Sequence, residues 1–131
     1  MVTREDVENF LIRLELPYQE LDEGLWVVRG DGQEESAAVF VSHDPPLLLM
    51  RVDVMDAPKD EELRKGLYRE LLELNATDVL HGAYGLDGDE VVLTDSLQLE
   101  DLDFSEFQAS LESIMLALRS HYEHLSRYKT P

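Results

Sequence analysis

An α+β domain with its elements in the order α-β-β-β-α-β-β-α is the fold class this sequence predicts. Three observations lead there. The hydrophobic spacing is helical, then strand-like three times, then helical, strand-like twice, and helical again. Turn-forming residues stand at the switches. No apolar run approaches the roughly 18 residues a membrane span needs. Each helix stripe and sheet face must be buried against another element, so the pattern closes into one layered unit with five strands.

Thr3 and Asp6 have capping-box spacing, and Val7, Phe10, Leu11 and Leu14 follow on one helical face. Pro17 is expected to end that helix, because the residue before proline is pushed out of the α region. Asp22-Glu23-Gly24 turns the chain into a first strand, Leu25–Val28. Gly30-Asp31-Gly32 turns it into a second, Ala37–Val41, and His43-Asp44-Pro45-Pro46 is a stiff connection to the third. That third strand, Leu47–Val54, sends Leu48, Met50, Val52 and Val54 to one side and a mixed set (Leu47, Leu49, Arg51 and Asp53) to the other.

Asp56-Ala57-Pro58 is the expected start of the second helix, with proline tolerated in a first turn. Leu63, Leu67, Leu71 and Leu74 form its stripe, with Tyr68 and Leu72 beside it. Gly66 inside it costs up to about 1 kcal/mol relative to alanine, which close approach of another backbone or simple tolerance would explain. His81–Leu86 and Val91–Thr94 are the last strands, joined at the hairpin signal Asp87-Gly88. Asp103 and Glu106 make a second capping box. The helix behind them, with stripe Phe107, Leu111, Ile114, Leu118, Tyr122 and Leu125, is expected to reach Tyr128, about 37 Å at 1.5 Å per residue. No repeat or linker interrupts the pattern, so residues 1–131 are read as a single domain.

The net charge of -18 bears most directly on partners. Twelve Asp or Glu residues and no Lys or Arg lie between Glu70 and Leu118. Such a surface repels phosphate backbones and anionic lipid, so nucleic acid and membranes are not expected partners. It serves either as a solubilising coat or as a face that steers a basic segment. The absence of cysteine removes disulfides and thiolate chemistry, and suits a soluble, cytoplasmic protein.

No catalytic constellation stands out. His121 and His124 lie one helical turn apart with Glu123 between them, but lack a third ligand nearby. Asp87-Gly88-Asp89-Glu90 lacks the order and closing glutamate of a calcium loop, and there is no P-loop or nucleophile elbow. The expectation is a protein that is not an enzyme and carries neither metal nor cofactor. An enzyme using paired carboxylates or the His121/His124 pair is the dissenting alternative. Trp26 is either core or the anchor of a groove. Tyr68 widens the second helix's apolar face, as for a helix packed on two sides, within the core or against a second subunit.

Several strings, taken with this order, resemble the type III secretion chaperones of the Tir-chaperone (CesT-like) family and the related YbjN-like bacterial proteins. They are Phe10-Leu11 through Leu16-Pro17-Tyr18, Gly24-Leu25-Trp26-Val27-Val28, Leu74-Asn75, Ala83-Tyr84-Gly85-Leu86-Asp87 before Val91-Val92-Leu93, and Leu97 with Leu99 before the last helix. The resemblance implies a twisted, mainly antiparallel sheet and a homodimer built through the second helix, here Leu63, Leu67, Tyr68 and Leu71. It also implies that a partner or effector polypeptide fills apolar grooves and adds to a sheet edge. Phe10, Trp26, Phe40, Leu47 and Leu49 would line such a groove. YbjN-like members imply an alternative, a regulatory or sensory signalling domain.

Overall fold

The computed structural model describes residues 1–30 and 38–129. Its elements are α1 (Arg4–Leu14), β1 (Tyr18–Asp22), β2 (Leu25–Arg29), β3 (Ala38–Asp44), β4 (Leu47–Asp56), α2 (Glu61–Thr77), β5 (Ala83–Asp87), β6 (Glu90–Gln98) and α3 (Phe104–Ser126). The strands form one antiparallel sheet in the order β1-β2-β3-β4-β6-β5. The class is the expected one, but the sheet has six strands among the described residues, not five. Ala37 and most of the Gly30-Asp31-Gly32 turn lie outside the described residues.

The additional strand is β1. Its sequence, Tyr-Gln-Glu-Leu-Asp, has one partly buried residue and four exposed ones, because an edge strand outside the helical layer buries little. It pairs with β2 from Tyr18↔Val28 to Asp22↔Leu25. The hairpin between them turns at Gly24, whose φ of 76° favours glycine.

Helix ends follow side-chain chemistry. Thr3 and Asp6 close the α1 capping box reciprocally, at 2.9 and 3.2 Å. The two bonds to Thr3 hold the Asp6 carboxyl below its ordinary pKa. The helix stops at Glu15, in the left-handed region, before Pro17 can act. α2 begins five residues later than Asp56, because β4 runs on through Asp56 and Asp60 is the cap, accepting from the Leu63 N–H at 3.0 Å. Asp103 and Glu106 cap α3 as the spacing predicts, and that helix ends at Ser126.

The alternation in β4 divides the sheet into two unlike faces. Leu48, Met50 and Val52 join Trp26, Val28, Val39, Val41, Val91 and Leu93 on the side that all three helices cover. Val7 and Leu11 of α1, Leu67 and Leu71 of α2, and Phe107, Leu111, Ile114 and Leu125 of α3 complete that core. A bulge between Asp53 and Met55 shifts the register so that Met55 turns inward. Leu47, Leu49 and Arg51 point the other way.

Gly66 meets an aromatic ring and not a backbone. A Cβ there would lie 3.4 Å from Tyr128 Cε1, ordinary contact distance. Gly66→Ala should therefore raise unfolding stability, by up to about 1 kcal/mol, from helix propensity alone. Urea denaturation of the two proteins measures it; a loss of stability would mean the Tyr128 contact has no slack. Leu67→Ala, by contrast, should lose about 2–5 kcal/mol in the same titration, since Leu67 is fully buried.

Candidate functional site

The side of the sheet that no helix among the described residues covers is the candidate site. By register Val27, Phe40, Arg51, Thr94 and Ala83 share one row across it, and Leu25, Ser42, Leu49 and Ser96 the next. Leu47 lies one step further, opposite Asp44 and Gln98. None of Leu25, Val27, Phe40, Leu47 or Leu49 belongs to the helix-covered core or packs on it. Val27 is nearly buried, and the other four are partly exposed. The result is an apolar patch on β2, β3 and β4, which are interior strands.

Arg51 marks the polar end of this face. Its Nε donates to Asp53 at 2.8 Å, Nη1 lies 2.9 Å from Asp87, and Nη2 3.2 Å from Glu90. The bonds to Asp53 and Asp87 hold the guanidinium still more firmly in its protonated form. One cation among three carboxylates leaves the cluster negative.

The five residues expected to line one groove do not come together. Phe40, Leu47 and Leu49 share the open face. Trp26 is fully buried in the core, where its indole N–H has no partner. Phe10 lies on the helical side, its ring 5.9 Å from Phe104 and 5.4 Å from Phe107. The sheet therefore separates Phe10 and Trp26 from the other three. Leu25 and Val27 take their places; strand alternation alone would have found them, since they flank Trp26 in sequence.

The residues expected at a dimer interface divide similarly. Leu67 and Leu71 point into the core of the single chain and are unavailable to a second subunit. Leu63 is 41% exposed, and Tyr68 is partly buried against the core. Leu72 on α2, 69% exposed, and Leu86 on β5, 47% exposed, are the more accessible apolar residues of that side. α2 and β5 are neighbours, because Asn75 bonds both backbone groups of Tyr84, donating to its carbonyl at 3.1 Å and accepting from its N–H at 2.7 Å. That amide stands where a further strand would pair, so it closes the middle of the β5 edge. At the opposite edge, the Pro17 carbonyl bonds the Arg29 N–H, which turns the backbone groups of Tyr18 and Glu20 outward.

The histidine pair expected in α3 is split. His121 is buried, its Nδ1 2.8 Å from the Tyr84 hydroxyl and its Nε2 3.3 Å from Asp78. With Nδ1 accepting from Tyr84, Nε2–H is left to donate to Asp78. Burial pushes the Tyr84 phenol well above its ordinary pKa of 10.0, so it remains a donor. His124 instead faces Glu70 at 3.4 Å. Among the described residues no three His, Asp or Glu side chains converge as a metal site. No helix among them is long and apolar enough to cross a membrane.

One sheet, helices on a single side and an apolar patch left on the other define an α+β fold similar to that of the secretion chaperones. The CesT_Tir_1 family model matches residues 1–130, and the chain belongs to that family. Among curated proteins no sequence matches. The fold is similar to that of YbjN from E. coli, at TM-score 0.68 and 14% identity over 93% of this chain and 92% of that one. It is also similar to a chain of the ExoU–SpcU complex of the Pseudomonas aeruginosa type III secretion system. The TM-score there is 0.67, with 16% identity over 95% and 98% of the two chains. A third likeness is to the Yersinia pestis secretion chaperone SycH in complex with a fragment of YscM2, at TM-score 0.60 and 19% identity over 89% and 98%.

Tyr84→Phe should lose about 1–3 kcal/mol in denaturant unfolding at neutral pH, because His121 Nδ1 is left buried without its donor. The raised phenol pKa adds a pH signature. Its contribution is fully present below pH 10 and is lost as pH rises further, because the unfolded chain ionises first. Wild-type stability should fall above pH 10 more steeply than that of the phenylalanine variant; parallel curves would remove Tyr84 as the cause.

Proposed function

We propose that this chain is a non-catalytic, cytoplasmic adaptor that holds a partner polypeptide on a homodimer, in the manner of type III secretion chaperones. The observation that carries this reading is the uncovered sheet face with Leu25, Phe40, Leu47 and Leu49 on it. A sheet face of this composition is ordinarily covered by another layer. Family membership and the likeness to SycH, which is seen with a fragment of YscM2, support a polypeptide as that cover. The outward backbone of Tyr18 and Glu20 offers a second mode, strand addition at the β1 edge, while Asn75 stands in the way at β5.

The proposed dimer uses the flank of α2 beside β5: Tyr68, Leu72 and Leu86. The likeness to YbjN, a candidate transcription regulator, favours a second reading in which the same surfaces serve regulation and not export. The two are separated by the partner: a polypeptide client for the first, a metabolite that reproducibly raises the melting temperature for the second.

Light scattering on a sizing column should give twice the 15.0 kDa chain mass at micromolar concentration. Leu72→Asp should halve it while leaving the circular dichroism of a folded chain. A wild-type monomer, or a variant that remains dimeric, removes α2 as the interface.

A further inference from the structure

We propose that Asn75 is the residue that keeps the β5 edge from pairing with the β5 edge of a second copy, so that any contact between copies is made by side chains and not by a continuous sheet. Strand addition is thereby left to the β1 edge, a consequence that rests on the adaptor reading.

The sheet ends in two edge strands, β1 and β5, and they are protected differently. β1 reads Tyr-Gln-Glu-Leu-Asp, follows Pro17 directly and carries a bulge between Glu20 and Asp22. Charges and bulges discourage edges from pairing with one another. In a chain of net charge -18, two β1 edges side by side would set Glu20 and Asp22 of each copy together as well. β5 reads Ala-Tyr-Gly-Leu-Asp, with no charge before Asp87, and that carboxylate lies 2.9 Å from Arg51. It pairs with β6 in unbroken register. At its middle, a Cβ on Gly85 would meet nothing within 4 Å. The side chains of β5 therefore do little to hold off a neighbouring strand.

Asn75 acts on the backbone instead. Its amide donates to the Tyr84 carbonyl at 3.1 Å and accepts from the Tyr84 N–H at 2.7 Å. Those are the groups a further strand would bond. By alternation Ala83, Gly85 and Asp87 turn theirs to β6, which leaves Leu86 as the one other residue of β5 whose backbone faces outward. Asparagine is a weaker helix former than alanine, but its side chain carries the donor and the acceptor of a peptide together. The Tyr84 hydroxyl, 2.8 Å from His121 Nδ1, anchors the same residue from the other side. A second β5 is the strand to be excluded. Antiparallel pairing about a twofold axis is self-complementary, and it would bring the exposed Leu72 and Leu86 of both copies under cover.

NMR on an equal mixture of isotope-labelled and unlabelled chains tests this, because antiparallel pairing sets facing α carbons about 4.5–5.5 Å apart. The wild type should show no α-proton contacts between copies along β5 at millimolar concentration. In dilute solution its Tyr84 N–H should exchange with deuterium at least about fivefold more slowly than the Leu86 N–H, the effect of one ordinary hydrogen bond. Concentrated Asn75→Ala should show contacts between copies at Tyr84 and Leu86. Asn75→Asp still accepts from the Tyr84 N–H but sets a carboxylate at the edge, and should show none. Circular dichroism checks that both variants fold.

Contacts along β5 in the wild type overturn the proposal, and so does a folded Asn75→Ala chain that shows none. Equal pairing by Asn75→Asp assigns the effect to loosened docking of α2 and overturns it too. Should Asn75→Ala fail to fold, the wild-type exchange decides: a Tyr84 N–H as fast as that of Leu86 means an open edge. Neither a wild-type monomer nor a dimer through Leu72 brings β5 α protons together, so failure of the dimer reading is seen separately, in the mass.

Discussion

The buried residues of all three helices lie on the same side of the sheet, and the alternation of β4 makes that possible. Leu48, Met50 and Val52 carry the contacts of helices from three separate parts of the chain. A one-residue slip of this strand would exchange them for Leu47, Leu49 and Arg51, burying the guanidinium and Asp53 and parting Arg51 from Asp87 and Glu90. The register is therefore held from both sides. Apolar burial favours it on one face, and the cost of desolvating Arg51 and Asp53 opposes the alternative. The bulge after Asp53 keeps that sorting intact to the end of the strand.

Polar side chains then decide where the sheet stops. Asn75 supplies Tyr84 with the donor and acceptor of a missing strand, while the Tyr84 side chain reaches His121 in the core. One residue of β5 thus ties the sheet edge to α2 through its backbone and to α3 through its hydroxyl. Cross-links of this kind fix relative position where apolar packing, which is indifferent to small slides, does not. The fully buried Trp26 N–H is the counterexample, a donor without a partner, which costs stability and defines nothing.

Much of this fold is legible in the sequence because it rests on local chemistry. Thr3/Asp6 and Asp103/Glu106 cap their helices where the spacing puts them, and the stripes of α1, α2 and α3 point inward except at Leu63 and Tyr122, which are exposed. β1 escapes because Tyr18–Asp22 is held by backbone pairing to β2 and little else, although the Asp22-Glu23-Gly24 turn before β2 already implied a hairpin. The site is less legible for a topological reason. Period identifies which residues share a face but not which face another element covers. Leu67 and Leu71 read equally as core or interface until α2 is docked. Phe10 and Trp26 read as neighbours of Phe40 until the sheet is seen to stand between them. His121 and His124, one turn apart, are separated by what α3 packs against.

The acidity of the chain sets conditions on the surfaces it can use. Any self-association brings two charges of -18 together, so it is least costly where the contact itself is apolar. The flank of α2 beside β5 offers Leu72 and Leu86 for that purpose. Strand addition is constrained unequally, since Asn75 occupies the backbone groups of Tyr84 at β5 while Tyr18 and Glu20 turn theirs outward at β1.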